Sequence, residues 1–481
     1  DFATLDVGNQ QTKGKENESQ GNGSNSTRPL ENVLPEGNQP TGEEGDAGQR
    51  GNRGGKTNTN GNGRANAGRS NRGGGVAAGQ NAMDFERPSQ ELAEQELAEE
   101  AEKVEDKTLP GQPRTPKKLT GVNPGNYRIT EADKIGTGTP GERLKQNLEA
   151  IRLVRTLQAE GRYATKEEQA VLAKYVGWGG LANAFDEVSK QKQYREANAE
   201  LKRLLSPEEY TEALLSTRNA HYTSPKIIKA MYDLVRHLGF MGGNVLEPTV
   251  GSGNFIGLMP EDFAASSNWY AAEIDPITGA LAQYLYPEGQ VMAGTGFQDA
   301  EFAYGKFDLA IGNPPFGDTR ITDRNKARQH LTRMKIHNYI ISKSGMHLRP
   351  GGVMAMVITH RFLDTKNDEA RAELAKNFRF VGAIRLPNTA FKENANTEVT
   401  TDIVVFQKLK PGEEATTNLE WLDTSATIKS DKGQDIRLNG YFAKHPEMML
   451  GKPTLDGTMY AGARGDEFTL EPGFIADDLG G

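Results

Sequence analysis

The chain has 481 residues, of which 35% are hydrophobic, and its formal net charge is -8. Its mean hydropathy of -0.67 predicts that a sizeable part of it is unfolded. The absence of cysteine excludes disulfide bonds, thiolate zinc sites and a cysteine nucleophile. No apolar run predicts a membrane span, and the first residues do not show the pattern of a signal peptide. Because the first residue is Asp1 rather than Met, we expect a processed product or a piece of a longer protein.

Two segments of biased composition precede the first globular pattern. Residues 1–83 are rich in Gly, Asn, Gln, Ser and Thr, which predicts a disordered arm. Within the arm, residues 50–72 carry six cations without an acid among them. The arm is therefore either a soluble linker or a weak tether for a polyanion. Residues 84–126 turn acidic and then proline-rich, which predicts a solvated or partner-binding helix and a linker.

Residues 127–220 read as a helical cap. Leu144, Leu148, Ile151, Val154 and Leu157 recur at helical spacing, and Gly161 is placed to end that helix. Thr165 and Glu168 form a capping box for a second helix, predicted to run through Tyr175. Trp178 follows in a glycine-rich turn, where it would be either a buried plug or a stacking surface for a base.

Residues 221–410 alternate short apolar runs with helical patterns. The runs near Val245, Trp269, Phe307, Gly351 and Phe380, with a sixth at Thr401, predict strands of a mainly parallel sheet with helices on both faces. This is an α/β, doubly wound arrangement of Rossmann-like type. Residues 411–481 form a C-terminal extension, for which the weak periodicity predicts short strands and loops.

Polar loops follow three of the predicted strands. They begin at Glu247-Pro248, at Glu273 and at Asn313-Pro314. In open α/β sheets ligands bind beyond the carboxyl ends of the strands, so the three loops predict one composite site.

The first two loops indicate a nucleoside with a cationic tail. Gly251 and Gly253 permit close backbone approach, whereas Glu247 would repel a pyrophosphate and suits a sulfonium or ammonium group. Glu273 and Asp275 lie about 20 residues further on, where an acid accepts hydrogen bonds from ribose hydroxyls. Together these features predict S-adenosylmethionine as the cofactor.

The third loop indicates the reaction. Pro314 and Pro315 hold the backbone extended, so that the Asn313 side-chain oxygen and the Pro314 carbonyl can accept both protons of an exocyclic amino group. Phe316 offers a face on which a flipped base can stack. We therefore predict Asn313, Pro314, Pro315 and Phe316 as the catalytic residues.

From about Tyr222 to Lys408 the chain resembles the N6-adenine DNA methyltransferases of the gamma arrangement, in which the cofactor loop precedes Asn-Pro-Pro-Phe/Tyr. The cap, with its Gly177-Trp178-Gly179-Gly180 turn, resembles the methyltransferase–helicase proteins of phages and plasmids, some of them antirestriction factors. The resemblance implies a Rossmann-like S-adenosylmethionine-dependent methyltransferase fold with a mainly parallel seven-stranded sheet. It also implies a set of cofactor-binding residues: Thr223, Pro225, Glu247, Pro248, Gly251, Gly253, Asn254, Phe255, Glu273, Asp275 and Phe297.

Two further expectations come from the same resemblance. Phe391 matches a second aromatic that sandwiches the flipped base together with Phe316. Many relatives place an Asp just before the Phe297 position, whereas this chain has Gly296 there, so Asp299 or a backbone group is expected to contact the cofactor's adenine.

A basic segment, residues 317–337, follows the Asn-Pro-Pro-Phe loop. We expect six of its cations to contact DNA phosphates beside the flipped base: Arg320, Arg324, Lys326, Arg328, Arg333 and Lys335. A solvated loop and helix is the alternative. The histidines show no metal-ligand spacing, so we predict no metal.

The sequence thus predicts a DNA methyltransferase acting on adenine N6, in phage or mobile-element antirestriction or modification. One alternative is a weak or inactive methyltransferase-fold protein that binds DNA or restriction enzymes. The other is a methyltransferase acting on cytosine N4, RNA or protein. The expected partners are DNA and a helicase or recognition module, without a membrane. The expected location is the bacterial cytoplasm, or a phage virion that delivers the protein there.

Overall fold

A computed structural model describes residues 119–217, 223–366, 369–391, 399–414, 419–430, 432–457 and 468–472. The predicted arm and nearly all of the predicted acidic segment lie outside these residues. The division of the chain into an arm, a cap, a catalytic domain and an extension stays a prediction.

A seven-stranded sheet forms the centre of the fold, in the order β3-β2-β1-β4-β5-β7-β6. Its strands are β1 Gly243–Glu247, β2 Ser267–Glu273, β3 Gln290–Ala293, β4 Phe307–Gly312, β5 Leu348–Thr359, β6 Phe378–Leu386 and β7 Thr401–Lys408. Strands β1 to β5 pair in parallel, and β7 pairs antiparallel with both β5 and β6. The mainly parallel seven-stranded sheet predicted from the sequence is confirmed.

Side chains alternate between the two faces of this sheet and build a core on each. Val245 of β1 faces one core while its neighbour Leu246 faces the other, as the two-residue period of a strand requires. The first core joins the sheet to the N-terminal helices, and the second joins it to the helices that follow β4 and to the C-terminal extension. Both faces are covered, which explains why these strands read as continuous apolar runs.

The helices carry the sequence signals expected of their positions. They are α1 Pro140–Glu160, α2 Lys166–Leu172, α3 Lys192–Leu204, α4 Pro207–Ser216, α5 Pro225–His237, α6 Asn254–Leu258, α7 Glu261–Ala264, α8 Pro276–Leu285, α9 Ile336–His347, α10 Arg361–Asp364, α11 Glu369–Asn377 and α12 Gly440–Lys444. Gly161 ends α1 in the left-handed conformation at φ 65°, as predicted. The Thr165–Glu168 capping box is present, but α2 ends at Leu172 rather than at Tyr175. Trp178 is fully buried. Of its two predicted roles, the buried plug is therefore confirmed, and the surface on which a base stacks is wrong.

The C-terminal extension contains two small antiparallel ladders, in agreement with the short strands predicted from its weak periodicity. Strands β8 Thr427–Lys429 and β9 Asp435–Arg437 form one, and β10 Gly451–Thr454 and β11 Thr469–Pro472 form the other. In the part of the chain that the structure describes, no helix has the length and apolarity needed to cross a membrane.

Candidate active site

A cavity of about 270 Å³ opens at the carboxyl ends of β1, β2, β3 and β4. It lies where the strand order reverses between β1 and β4, the position at which open α/β sheets bind ligands. Residues from all three predicted loops line it, so the structure confirms that these loops meet. The lining also includes the turn after β3 and residues of the N-terminal helices.

The loop after β1 reaches the cavity through two glycines in the left-handed region. Gly251 has φ 55° and Gly253 has φ 79°, and a Cβ on Gly253 would lie 2.2 Å from the ring of Tyr286. The Gly251 N–H donates to Oε2 of Glu273 at 2.8 Å, which ties this loop to the end of β2. Glycine is required here both by the dihedral angles and by the close packing of α6 against Tyr286.

Glu273 and Asp275 occupy the end of β2 in different ways. Glu273 accepts backbone hydrogen bonds from Gly251 and Asp275, and burial followed by the charge of Asp275 raises its pKa to about 7. Asp275 caps α8 by accepting from the Ile277 N–H at 3.0 Å and from the Thr278 hydroxyl at 2.6 Å. Both side chains line the cavity, but Asp275 already has two donors within its own helix.

Glu247, the last residue of β1, is 2% exposed and lines the cavity. Its Oε2 is buried without a hydrogen-bond partner among the described residues. Burial, and then the charge of Glu273, raises the pKa of Glu247 well above its ordinary value. A buried carboxylate without a partner is costly, so this side chain fits a cationic group placed in the cavity.

The cavity as a whole is acidic. Four carboxylates line it, and no Lys, Arg or His is among the described lining residues. The four acids are Glu212, Glu247, Glu273 and Asp275. Such a lining opposes phosphate groups and favours a ligand that carries positive charge and hydroxyl donors.

The Asn-Pro-Pro-Phe loop leaves the end of β4 beside Glu247. Asn313 and Pro315 line the cavity, while Pro314 and Phe316 are buried next to them in the chain. Phe316 is 9% exposed and belongs to the same apolar core as Phe391, which is fully buried. Neither aromatic lines the cavity. Their pairing on a flipped base stays a prediction.

The turn after β3 closes another side of the cavity through Gly296, Phe297 and Gln298. A Cβ on Gly296 would lie 2.3 Å from the amide nitrogen of Gln298, so the Gln298 side chain fills the space that a larger residue would need. That amide donates to Asp299 at 2.9 Å. Gln298 was not predicted from the sequence, whereas Asp299, which was, lies outside the lining.

The N-terminal helices contribute residues that sequence reasoning missed. Tyr175, Glu212 and Leu215 line the cavity, and the Tyr175 hydroxyl lies 3.1 Å from the Thr278 hydroxyl that holds Asp275. Of the predicted cofactor-binding residues, Gly253 does not line the cavity, and it packs the loop after β1 against Tyr286. Pro225 starts α5 after the Ser224 cap and lies outside the lining, whereas Thr223 is part of it.

The six cations of the basic segment fall into different environments. Arg320, Arg324, Lys326 and Arg333 are exposed, and Lys335 pairs with Asp318 at 2.6 Å. Arg328 is 1% exposed and pairs with Asp323 at 2.6 Å and with Glu301 at 2.8 Å. The expectation that Arg328 contacts a phosphate is therefore wrong, because its guanidinium is buried and paired with two carboxylates.

No cluster of three or more His, Asp or Glu side chains suited to a metal ion occurs within the described ranges.

Comparison with known proteins shows what the segment that carries this site is similar to. Residues 267–391, from β2 to Phe391, match the Eco57I restriction-modification methylase family. Defense against restriction protein B of Escherichia phage P1 is 26% identical over 268 residues, which are 55% of this chain and 10% of that protein. Type II methyltransferase M.CvrRI of Paramecium bursaria Chlorella virus XZ-6E is 30% identical over 201 residues, 40% of this chain and 49% of that protein.

The chain therefore spans about half or less of the length of these relatives. Among solved structures, the type I restriction-modification system methyltransferase subunit from Streptococcus thermophilus is similar, with 18% identity and a TM-score of 0.35. The match covers 62% of this chain and 73% of that one.

Proposed function

We propose, because residues 267–391 match the Eco57I restriction-modification methylase family, that this protein transfers a methyl group from S-adenosylmethionine to adenine N6 of DNA. The observation that carries the proposal is the unpartnered carboxylate of Glu247 in an acidic cavity next to the Asn-Pro-Pro-Phe loop. A cationic cofactor beside an acceptor pair for an amino group is the combination that amino methylation requires.

The residues lining the cavity fit this cofactor. Glu247 and Thr223 would lie at its charged methionine end, and Glu273 would accept from the ribose hydroxyls. Phe297 and Gln298 would bound its adenine. When bound, S-adenosylmethionine supplies an electrophilic methyl group on a sulfonium.

The Asn-Pro-Pro-Phe loop would hold the target base. The Asn313 side-chain oxygen and the Pro314 carbonyl would accept the two amino protons and so aim the nitrogen lone pair at the methyl carbon. The amino nitrogen held in this way would gain the methyl group as the bond from methyl to sulfur breaks, and its extra proton would leave to solvent afterwards. Phe316 and Phe391 would sandwich the flipped base between their rings.

The basic segment would contact the DNA backbone. Its exposed cations Arg320, Arg324, Lys326 and Arg333 follow the Asn-Pro-Pro-Phe loop directly, where phosphates flanking a flipped base would pass. Lys335 would join them once it exchanges Asp318 for a phosphate. An antirestriction role is part of the proposal, and its support is the similarity to a phage protein named for defence against restriction.

Nucleoside analysis after methylation separates this proposal from its alternatives. The full chain is incubated with labelled S-adenosylmethionine and unmethylated duplex DNA, RNA or protein, and the digested products are separated. Label in N6-methyl-2′-deoxyadenosine from DNA supports the proposal. Label in N4-methyl-2′-deoxycytidine, RNA or protein contradicts the proposed substrate, and binding of DNA without any label supports the binding protein instead.

A further inference from the structure

Arg328 occupies the centre of a buried ionic cluster behind the cavity. Its Nε lies 2.6 Å from Asp323, and one terminal nitrogen lies 2.8 Å from Glu301. The same nitrogen donates to the Gln298 carbonyl at 3.3 Å, and the other donates to the Tyr304 hydroxyl. A planar guanidinium with five donors is suited to joining several acceptors in this way.

The cluster joins the basic segment to the turn after β3. In the proposed function the first contacts DNA and the second contacts S-adenosylmethionine. Asp323 and Arg328 belong to the basic segment, and Asp323 also accepts from the Asn325 N–H at 2.8 Å and from the Tyr339 hydroxyl. Gln298 and Glu301 belong to the turn after β3, whose residues 296–298 wall the cavity. Arg328 therefore bridges the DNA-facing segment and the cofactor-facing turn.

Lys343 of α9 also contacts the turn after β3. Its buried ammonium donates to the carbonyls of Phe297 at 2.5 Å and Ala300 at 3.0 Å, and lies 4.6 Å from the Phe297 ring centre. It also lies 3.3 Å from the Gln298 carbonyl, which Arg328 shares. Burial, and then the charge of Arg328, lowers the pKa of Lys343 to about 7. Two buried cations on one turn fix the position of its carbonyls.

Neither cation lines the cavity. We propose that Arg328, assisted by Lys343, is a positioning residue that locks the Gly296–Gln298 wall to the basic segment, so that S-adenosylmethionine and DNA bind cooperatively. The inference rests on the proposed function. A ligand that shifts either segment also moves the other through the shared ionic cluster, so each ligand changes the position at which the other binds. The coupling is reciprocal by thermodynamic linkage.

The coupling is measured by calorimetry on the full chain. The Kd of S-adenosylhomocysteine, the reaction product, is determined with and without saturating unmethylated duplex DNA. In the wild type we expect DNA to tighten cofactor binding by about 5- to 150-fold. In Arg328→Met the ratio of the two Kd values should fall close to one. A role in folding alone would lower the unfolding temperature without changing this ratio.

Two further variants make the result specific. Arg371→Met removes another buried arginine, which donates to the carbonyls of Leu363 and Trp421 and does not line the cavity, and it should keep the wild-type ratio. Glu301→Gln changes a partner whose side chain is 44% exposed, so it should fold even if Arg328→Met does not. Its ratio should lie between those of the wild type and Arg328→Met.

The outcomes separate this inference from the proposed function. A wild type that binds the cofactor but shows no coupling, or a Glu301→Gln or folded Arg328→Met variant that retains the full ratio, overturns the inference alone. A wild type that binds no cofactor overturns the proposed function and this inference with it.

Discussion

Glu247 and Glu273 end neighbouring parallel strands and face the same cavity, and the charge of Glu273 helps to raise the pKa of Glu247. Glu273 has two backbone donors, whereas Oε2 of Glu247 has no partner among the described residues. The site thus brings together two carboxyl groups whose charged forms a cationic ligand would stabilise. Both affinity for that ligand and stability without it should therefore depend on Glu247.

Glu247→Gln keeps the shape of the side chain and removes its charge. We expect S-adenosylmethionine binding to weaken by about 10- to 100-fold, because a charged hydrogen bond contributes about 1.5–3 kcal/mol. Isothermal titration calorimetry measures the change. Glu149→Gln, on the exposed face of α1, is the matched control and should bind normally. Unchanged affinity in Glu247→Gln would remove this residue from the cofactor site.

The stability of the ligand-free protein should fall as pH rises. The pKa of Glu247 is higher in the folded state than its ordinary value of 4.5, so the folded state holds a proton that the unfolded chain has lost. This stabilisation is full below about pH 4.5 and is lost as pH rises through the raised pKa.

In Glu247→Gln the slope of unfolding free energy against pH should become shallower by up to about 1.4 kcal/mol per pH unit. Glu273, whose pKa is raised to about 7, should leave a residual slope between pH 4.5 and 7. Urea unfolding at a series of pH values gives both slopes. Parallel curves for the wild type and the variant would show that Glu247 does not titrate as described.

Gly253→Ala tests the loop after β1. The residue has φ 79°, and a Cβ would lie 2.2 Å from the Tyr286 ring, so strain and overpacking together should cost about 2–5 kcal/mol. Gly412→Ala is the matched control, because Gly412 has φ 81° but nothing within 4 Å of a new Cβ. It should cost only about 1–2 kcal/mol. Equal losses in the two variants, measured by urea unfolding, would mean that contact with Tyr286 is unimportant.

The sequence allowed the main structural features of the site to be predicted because they depend on short-range chemistry. Gly251 and Gly253 mark a turn whose positive φ angles are unfavourable for other residues. Carboxylates or an asparagine come at the ends of apolar runs, and these runs are strands in the structure. The short strand β3, Gln290–Ala293, was missed, since four residues after a helix give no clear two-residue period.

Other residues could not be placed from the sequence because long-range packing decides their roles. Arg328 was expected on DNA from its place among other cations, but Glu301, 27 residues earlier, binds its guanidinium. Tyr175 and Glu212 reach the cavity only because the N-terminal helices pack on the first core of the sheet. Asp323 lies only five residues before Arg328, but that separation is not the three- or four-residue spacing that marks an ion pair on a helix.

Binding of DNA should depend on salt through the exposed cations of the basic segment. Lys326→Gln should reduce the slope of log affinity against log salt by about one unit, the contribution of one phosphate contact. Lys306→Gln is the matched control. Lys306 is also exposed, but it directly precedes β4 and so lies at the opposite end of that strand from the Asn-Pro-Pro-Phe loop. Fluorescence anisotropy with duplex DNA at several salt concentrations measures both slopes. A change in both variants, or in neither, would contradict the proposed DNA path.

The most direct test of the account is methyl transfer from labelled S-adenosylmethionine to unmethylated DNA by the wild type, Asn313→Ala and Asn268→Ala. Asn268 lies on the exposed start of β2, away from the cavity, and serves as the control. We predict label at adenine N6 with the wild type and Asn268→Ala, and loss of at least about 100-fold with Asn313→Ala. Equal transfer by Asn313→Ala, or a wild type that binds cofactor and DNA but transfers no label, would contradict it.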